Sequence, residues 1–229
     1  MRCLIPLLVT LSATACAAAF PVAPVVGTLR PLPAADVDAW VASLRPTMHT
    51  TRRFYWTANQ DEGTGRGSVG IAPPDSLLLT YRAPLGAHPG SAFVVGDTAV
   101  WAQPQEDVQK LVPSYPLLWG MVGVARPPGA GWTVEGHRDA NRTAWRYTRG
   151  ADTTAYVWWV RDGIGNLQTY VSEGGQPIGR VVTVFDASRH PVKSRLDVLI
   201  SPARLDITFD KLPKPLTFDR EMWLAPRPQ

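Results

Sequence analysis

The segment Gly65-Arg66-Gly67-Ser68-Val69-Gly70 fits the G-x-G-x-x-G spacing with which a strand-to-helix turn cradles a dinucleotide pyrophosphate. That chemistry needs backbone N–H groups at a helix N-terminus just beyond the glycines. Here Ile71-Ala72-Pro73-Pro74 follows, and two prolines cannot continue those first turns. The chain resumes as Ser76-Leu77-Leu78-Leu79-Thr80-Tyr81-Arg82, an extended, β-prone run. The spacing therefore reads as strand, turn, strand, with glycines where a side chain would crowd a bend or a close neighbour.

Other reactive residues are as thinly arranged. His49, His88, His137 and His190 are scattered, with no H-x-x-x-H or Cys/His spacing that would hold a metal. Ser68 lacks the G-x-S-x-G frame of a nucleophile elbow. The acidic pairs Asp61-Glu62 and Glu106-Asp107 fall at expected turns or helix starts, where carboxylates solvate or cap. No catalytic residue, metal or cofactor is expected. The net charge of +4 is spread without a Lys/Arg run, so nucleic acid is not an expected partner.

What the chain has in abundance is aromatic and aliphatic surface: it is 45% hydrophobic and carries nine tryptophans. The elements that must position them are mostly strands. Residues 34–45 place Val37, Trp40, Val41 and Leu44 on one face of a helix. After it, apolar residues alternate: Phe54 with Trp56, Leu77 with Leu79 and Tyr81, Thr143 with Trp145 and Tyr147, Leu205 with Ile207 and Phe209. Turn signals separate the runs at Gly96-Asp97, Asp139-Ala140-Asn141, Arg161-Asp162-Gly163, Glu173-Gly174-Gly175 and Asp186-Ala187-Ser188. This predicts a mainly β (α+β) architecture, an antiparallel meander curled into a barrel or half-barrel. Residues 106–124 break the alternation with Pro113 and Pro116, and predict two short helices over the sheet opening. Residues 212–224 read as a final segment laid against the body.

In Ala155-Tyr156-Val157-Trp158-Trp159-Val160 adjacent tryptophans point to opposite sheet faces, so each side needs a partner. A barrel lined by aromatics and capped by helices makes a hydrophobic pocket. The expected lining is Phe54, Trp56, Leu79, Tyr81, Trp101, Trp145 and Trp158, with Trp119 from the helical cover. Aromatic residues also fill ordinary cores, and the sequence leaves that alternative open for each of them.

The N-terminus reads as an export signal over residues 1–15: Met1-Arg2, a short apolar core, then small residues. Two cleavage readings compete. Ala13-Thr14-Ala15 before Cys16 predicts a lipid-modified cysteine, whereas Ala17-Ala18-Ala19 before Phe20 predicts a soluble exported protein. With Cys3 removed in the signal, Cys16 has no internal disulfide partner, and acylation gives it a role. Residues 16–33 are proline-rich and suit a tether between anchor and body. Residues 34–229 form one expected domain, with a helical lid around 104–124.

The order Gly65-Arg66-Gly67-Ser68, Pro74-Asp75-Ser76-Leu77-Leu78-Leu79, Ala83-Pro84-Leu85-Gly86 and Val95-Gly96-Asp97-Thr98-Ala99-Val100-Trp101 resembles the LolA/LolB superfamily of bacterial lipoprotein carriers and receptors. Pro84-Leu85-Gly86 and the segment SYPLLWGMVG, residues 114–123, resemble the outer-membrane receptor branch. The resemblance implies a strongly curved antiparallel sheet, an unclosed half-barrel with helices covering its mouth, that binds acyl chains and performs no chemistry. It implies that Leu85 lies on a membrane-insertion loop and that Cys16 is the lipid anchor of an outer-membrane lipoprotein facing the periplasm. Lipoprotein acyl chains or phospholipid, a membrane surface and a periplasmic carrier protein are the expected partners, and the chain is expected to be a monomer. A structural or sensory envelope module using the same sheet for protein contact is the alternative. Carrier members have an arginine before the proline that follows the glycine strand, which holds the lid shut. Ala72-Pro73-Pro74 stands here instead, so any cover is expected to rest on apolar contacts alone.

Overall fold

A computed structural model describes residues 20–24, 26–46, 48–59, 63–82, 89–103, 113–210 and 214–215. The short strand β1 (Arg30–Pro31) precedes α1 (Ala34–Leu44), in which Val37 and Val41 are fully buried, as the predicted apolar face requires. Five strands follow in hairpin order: β2 (Thr50–Ala58), β3 (Thr64–Ala72), β4 (Ser76–Arg82), β5 (Gly90–Val95) and β6 (Thr98–Gln103). The helix α2 (Tyr115–Met121) interrupts them, with Pro116 in its first turn, where a missing N–H costs nothing. Then come β7 (Thr133–Arg138), β8 (Arg142–Arg149), β9 (Asp152–Arg161), β10 (Ile164–Glu173), β11 (Gln176–Phe185), β12 (Pro191–Val198) and β13 (Arg204–Phe209). Lys214–Pro215 forms β14 beside β2.

All pairings are antiparallel, and the spatial order is β1-β7-β8-β9-β10-β11-β12-β13-β2-β3-β4-β5-β6. The ladder joins the last long strand to the first: Phe209 faces Phe54 and Ile207 faces Trp56. The sheet does not close, since β6 ends one side and β1 only caps β7 on the other. This is the expected unclosed half-barrel. Its topology differs from a simple meander because the chain leaves β6 at one edge and re-enters at β7 on the other. The connection between those edges carries α2 across the concave face, against β10, β11 and β12.

Two hydrophobic clusters share that concave face. One gathers α2 with Phe54, Val69, Leu77, Val94, Val171, Val181, Leu196, Ile207 and Phe209. The other gathers Val37 and Val41 of α1 with Trp145, Tyr147, Tyr156, Leu167 and Phe185. Leu167 and Val171 lie an even number of residues apart on β10, hence on the same side of the sheet, so α1 and α2 are neighbours on one surface. Among the described residues no helix is long and apolar enough to cross a membrane.

Candidate functional site

On the inner face of β2, Phe54 and Trp56 stand two residues apart, and each pairs across the ladder with a glycine of β3: Phe54 with Gly67, Trp56 with Gly65. Tyr81 of β4 likewise pairs with Gly90 of β5. A Cβ on Gly65 would overlap the indole of Trp56, one on Gly67 the ring of Phe54, and one on Gly90 the ring of Tyr81. The rings therefore lie down across the glycines instead of standing into the half-barrel, an aromatic covering of cross-strand glycine. This is the physical role of the first two glycines in the G-x-G-x-x-G spacing.

Above these flattened rings is an open-sided slot of about 40 Å³. Phe54, Trp56, Leu79 and Tyr81 form part of it, Leu205, Ile207 and Phe209 of β13 another, and Leu118, Met121 and Val122 of the α2 end the rest. Among the described residues no charged one lines it. Phe54 and Phe209 meet edge to face with centroids 6.2 Å apart. The indole N–H of Trp56 is buried without a hydrogen-bond partner. By volume the slot holds a few water-sized spheres and is well short of the roughly 300 Å³ at which ligand pockets begin.

The other expected lining residues are placed elsewhere. Trp119 is fully buried on α2, its indole N–H donating to the Gly96 carbonyl at 2.8 Å and its ring 5.2 Å from the Arg126 guanidinium. Trp145 is stacked on Tyr156 at 5.2 Å in the α1 cluster. Trp158 packs edge to face on Phe185 at 5.1 Å, within reach of a different pocket. Trp101 lies opposite Phe93 in the β5–β6 ladder and is not in the cluster around the slot. Leu85, Cys16 and residues 104–112 of the expected lid lie outside the described residues.

The expectation that the cover rests on apolar contacts alone is corrected. Thr183 Oγ1 donates to the Gly120 carbonyl at 2.7 Å, the Ala99 N–H donates to Tyr115 Oη at 2.9 Å, and Trp119 binds Gly96 as above. Gly120 and Gly179 bring the helix close to the sheet, since a Cβ at either would collide with Thr169 or Leu117. One side of α2 is thus pinned by hydrogen bonds, while Leu118, Met121 and Val122 face the slot. Sequence reasoning also passed over Leu205, Ile207 and Phe209 as lining residues. Their alternation was visible, but only the pairing of β13 with β2, some 150 positions apart, places them beside Phe54.

Among the described residues the charged groups stand outside the slot's lining, Arg52 among them at 5.4 Å from the Phe209 ring centroid. Asp197 accepts hydrogen bonds from Arg180 at 2.8 Å and Arg204 at 2.9 Å; burial resists its ionisation, and the two guanidinium groups hold its carboxyl below the usual range nonetheless. His137 is 3.8 Å from Asp139, and His190 is 3.6 Å from Asp186. Among the described residues no three His, Cys, Asp or Glu side chains converge as a metal site would require.

No protein-family model matches the chain, and no curated protein does. Among solved structures, the LolA superfamily protein NE2245 from Nitrosomonas europaea matches with a TM-score of 0.52 at 8% identity, covering 85% of this chain and 98% of that one. The fold is LolA-like. At this identity the LolA-like match establishes architecture, and residue roles must come from the geometry above.

Proposed function

We propose that this protein binds acyl chains of lipoproteins or lipids, without catalysis, in the apolar slot between α2 and the β2–β4/β13 floor. The observation that carries the reading is the set of three rings laid flat on glycines, which leaves a gap lined, among the described residues, by no charged group. The LolA-like fold supports the same reading at the level of a lipid- or lipoprotein-binding architecture. The driving force is transfer of hydrocarbon out of water, about 0.8 kcal/mol per methylene, so about six methylenes contribute about 5 kcal/mol. Loading requires the slot to widen. Met121, unbranched and adaptable, stands on the wall where that widening is cheapest.

In this reading the chain is an exported lipoprotein anchored through Cys16 in the outer membrane, with residues 16–33 as tether. It acts like the receptor branch of the superfamily, taking cargo from a periplasmic carrier and using Leu85 at the membrane. Intact mass of the exported chain tests Cys16, where an acylated mass supports the anchor and cleavage before Phe20 refutes it. A Leu85→Glu variant that still delivers lipoproteins fully would refute the loop's role. The slot itself is tested by extracting the purified protein for lipid and by displacing bis-ANS with fatty acid.

The narrowness of the slot and the pinning of α2 favour one second reading, a structural or sensory envelope module that uses the sheet for protein contact. A protein that neither retains lipid nor binds the dye supports that module and excludes the first reading.

A further inference from the structure

The inner face of β2 does not stay apolar along its length. Two residues before Phe54 comes Arg52, only 5% exposed, on the same face. Its two Nη groups donate to the carbonyls of Pro191 and Asp210, and its Nε is buried with no hydrogen-bond partner. Burial pulls this guanidinium below its ordinary value, while Asp186 and Asp210 act to hold it up; it remains a cation at neutral pH. Arg45, just past α1, also has a buried Nε without a partner.

Both arginines line a second pocket of about 230 Å³, together with Arg189 of the β11–β12 hairpin and the apolar Trp158 and Phe185. Among the described residues no carboxylate lines it. The nearby carboxylates are engaged: Asp186 accepts the Ser188 and His190 N–H groups at 2.9 and 2.8 Å, and Asp210 lies 3.8 Å from Arg53. Partly desolvated cations with unpaired donors, set against aromatic rings, are the surroundings of an anion carried on an apolar body.

The two cavities adjoin. Val122 lines both, and Arg52 lies 5.4 Å from the ring centroid of Phe209, which lines the slot. From Arg52 through Phe54 to Trp56 the β2 backbone spans about 13 Å. We infer that the second pocket takes the oxyanion, phosphate or carboxylate, of an anionic amphiphile whose hydrocarbon lies along β2 in the apolar slot. This rests on the acyl-binding reading and adds to it a charge requirement on the ligand.

The experiment compares dodecyl phosphate, dodecanol and inorganic phosphate as competitors of bis-ANS and as calorimetric ligands of the full-length chain. Arg52 itself ties β2 to its neighbours, so the variants are Arg45→Met and Arg189→Gly, singly and together, with Arg45→Lys and Arg189→Lys as charge-keeping controls. Arg189 has φ +62°, which glycine adopts freely, so that variant keeps its hairpin. Dodecyl phosphate is expected to bind at least about tenfold tighter than dodecanol at low ionic strength. The advantage is expected to shrink with salt, to fall to about twofold in the double variant and to persist in the lysine forms. Equal affinity of the two dodecyl ligands, or an advantage that survives the double variant, overturns the oxyanion site and leaves the slot standing. Inorganic phosphate binding as tightly as dodecyl phosphate makes this a free-anion site and overturns the amphiphile. If neither dodecyl ligand binds, the acyl-binding reading fails as well.

Discussion

The α1 side and the α2 side of the concave face are built from the same sheet, yet their rings pack differently. Around α1 the rings interlock: Trp145 stacks on Tyr156 at 5.2 Å and meets Trp40 edge-on at 6.3 Å, while Tyr147 meets Tyr156 at 6.4 Å. Tyr156 is fully buried and its hydroxyl is used twice, donating to the Arg126 carbonyl at 3.0 Å and accepting from the Arg126 N–H at 3.3 Å. Burial pushes its ionisation well above the ordinary phenol range. Around α2 the rings of Phe54, Trp56 and Tyr81 lie on glycines and the helix bridges over them. Glycine lies beside rings on both sides, with Gly136 opposite Trp145 and Gly165 under Trp158; the α2 side differs in that its flattened rings border an apolar slot, whereas Trp145 is covered by Tyr156.

The largest effect is expected on the α1 side. Trp145→Ala removes a ring with 1% exposure and should cost about 3–5 kcal/mol in urea unfolding. Acyl-chain affinity of the remaining folded protein should be unchanged, because Trp145 touches no slot residue named above. A stable Trp145→Ala protein that has lost acyl binding would break the division between the two sides.

Next in size is a change to the floor. Gly67→Ala places a methyl group against the Phe54 ring and the Thr80 carbonyl, so the ring must lift into the slot. Overpacking of this kind costs about 1–3 kcal/mol. The sharper readout is bis-ANS displacement by dodecanol, which should weaken by at least about tenfold if the raised ring occupies the space of about six methylenes. Unaltered displacement would mean that the flattened rings do not define the site.

The two sides were unequally legible in the sequence. The strands, the α1 face and the hairpin turns follow from local rules, as at Asp162-Gly163, where φ values of 54° and 73° build a two-residue turn. The half of the slot drawn from β2 and β4 was legible too, because Phe54, Trp56, Leu79 and Tyr81 alternate on single strands. The β13 half needed a pairing between the ends of the chain, and the α2 half needed the phase of a seven-residue helix with apolar residues on every side. Trp145 and Trp158 have the same composition and periodicity as Phe54 and Trp56. Glycines do not separate them, since Trp145 faces Gly136 and Trp158 lies over Gly165. What does is the covering partner, which no single segment encodes: Tyr156 and Phe185 pack on Trp145 and Trp158, while α2 and β13 meet Phe54 and Trp56 across the slot.

A smaller effect is expected where α2 is tied down. Thr183 is completely buried, and its hydroxyl reaches both Gly120 O at 2.7 Å and Ser194 Oγ at 2.9 Å. Thr183→Val keeps the shape, removes a donor from the Gly120 carbonyl, which retains the Gly123 N–H, and takes a hydrogen-bond partner from the buried Ser194 hydroxyl, at about 1–3 kcal/mol. If pinning α2 is what keeps the slot narrow, stopped-flow loading of a fluorescent fatty acid should become faster in this variant. Slower or unchanged loading would locate the opening motion elsewhere.

The smallest effect concerns the seam through which the two halves of the sheet are joined, where β11, β12 and β13 lead into β2. There Asp197 of β12 is bracketed by Arg180 and Arg204 from the strands on either side. Because the two guanidinium groups outweigh the burial that opposes them, its folded-state pKa lies below the unfolded value of about 3.9. The stabilisation is therefore present above that unfolded value, constant between neutrality and about pH 5, and lost as pH falls through the folded pKa. Pairs this open to solvent contribute about 0–1 kcal/mol. Urea midpoints of the wild type and Asp197→Asn should differ by a small constant amount above about pH 5 and converge as pH falls through the lowered folded-state pKa. A difference that grows on acidification would mean that the seam is held by another group. The α1 and α2 sides would then share a coupling that the Asp197 bracket does not carry.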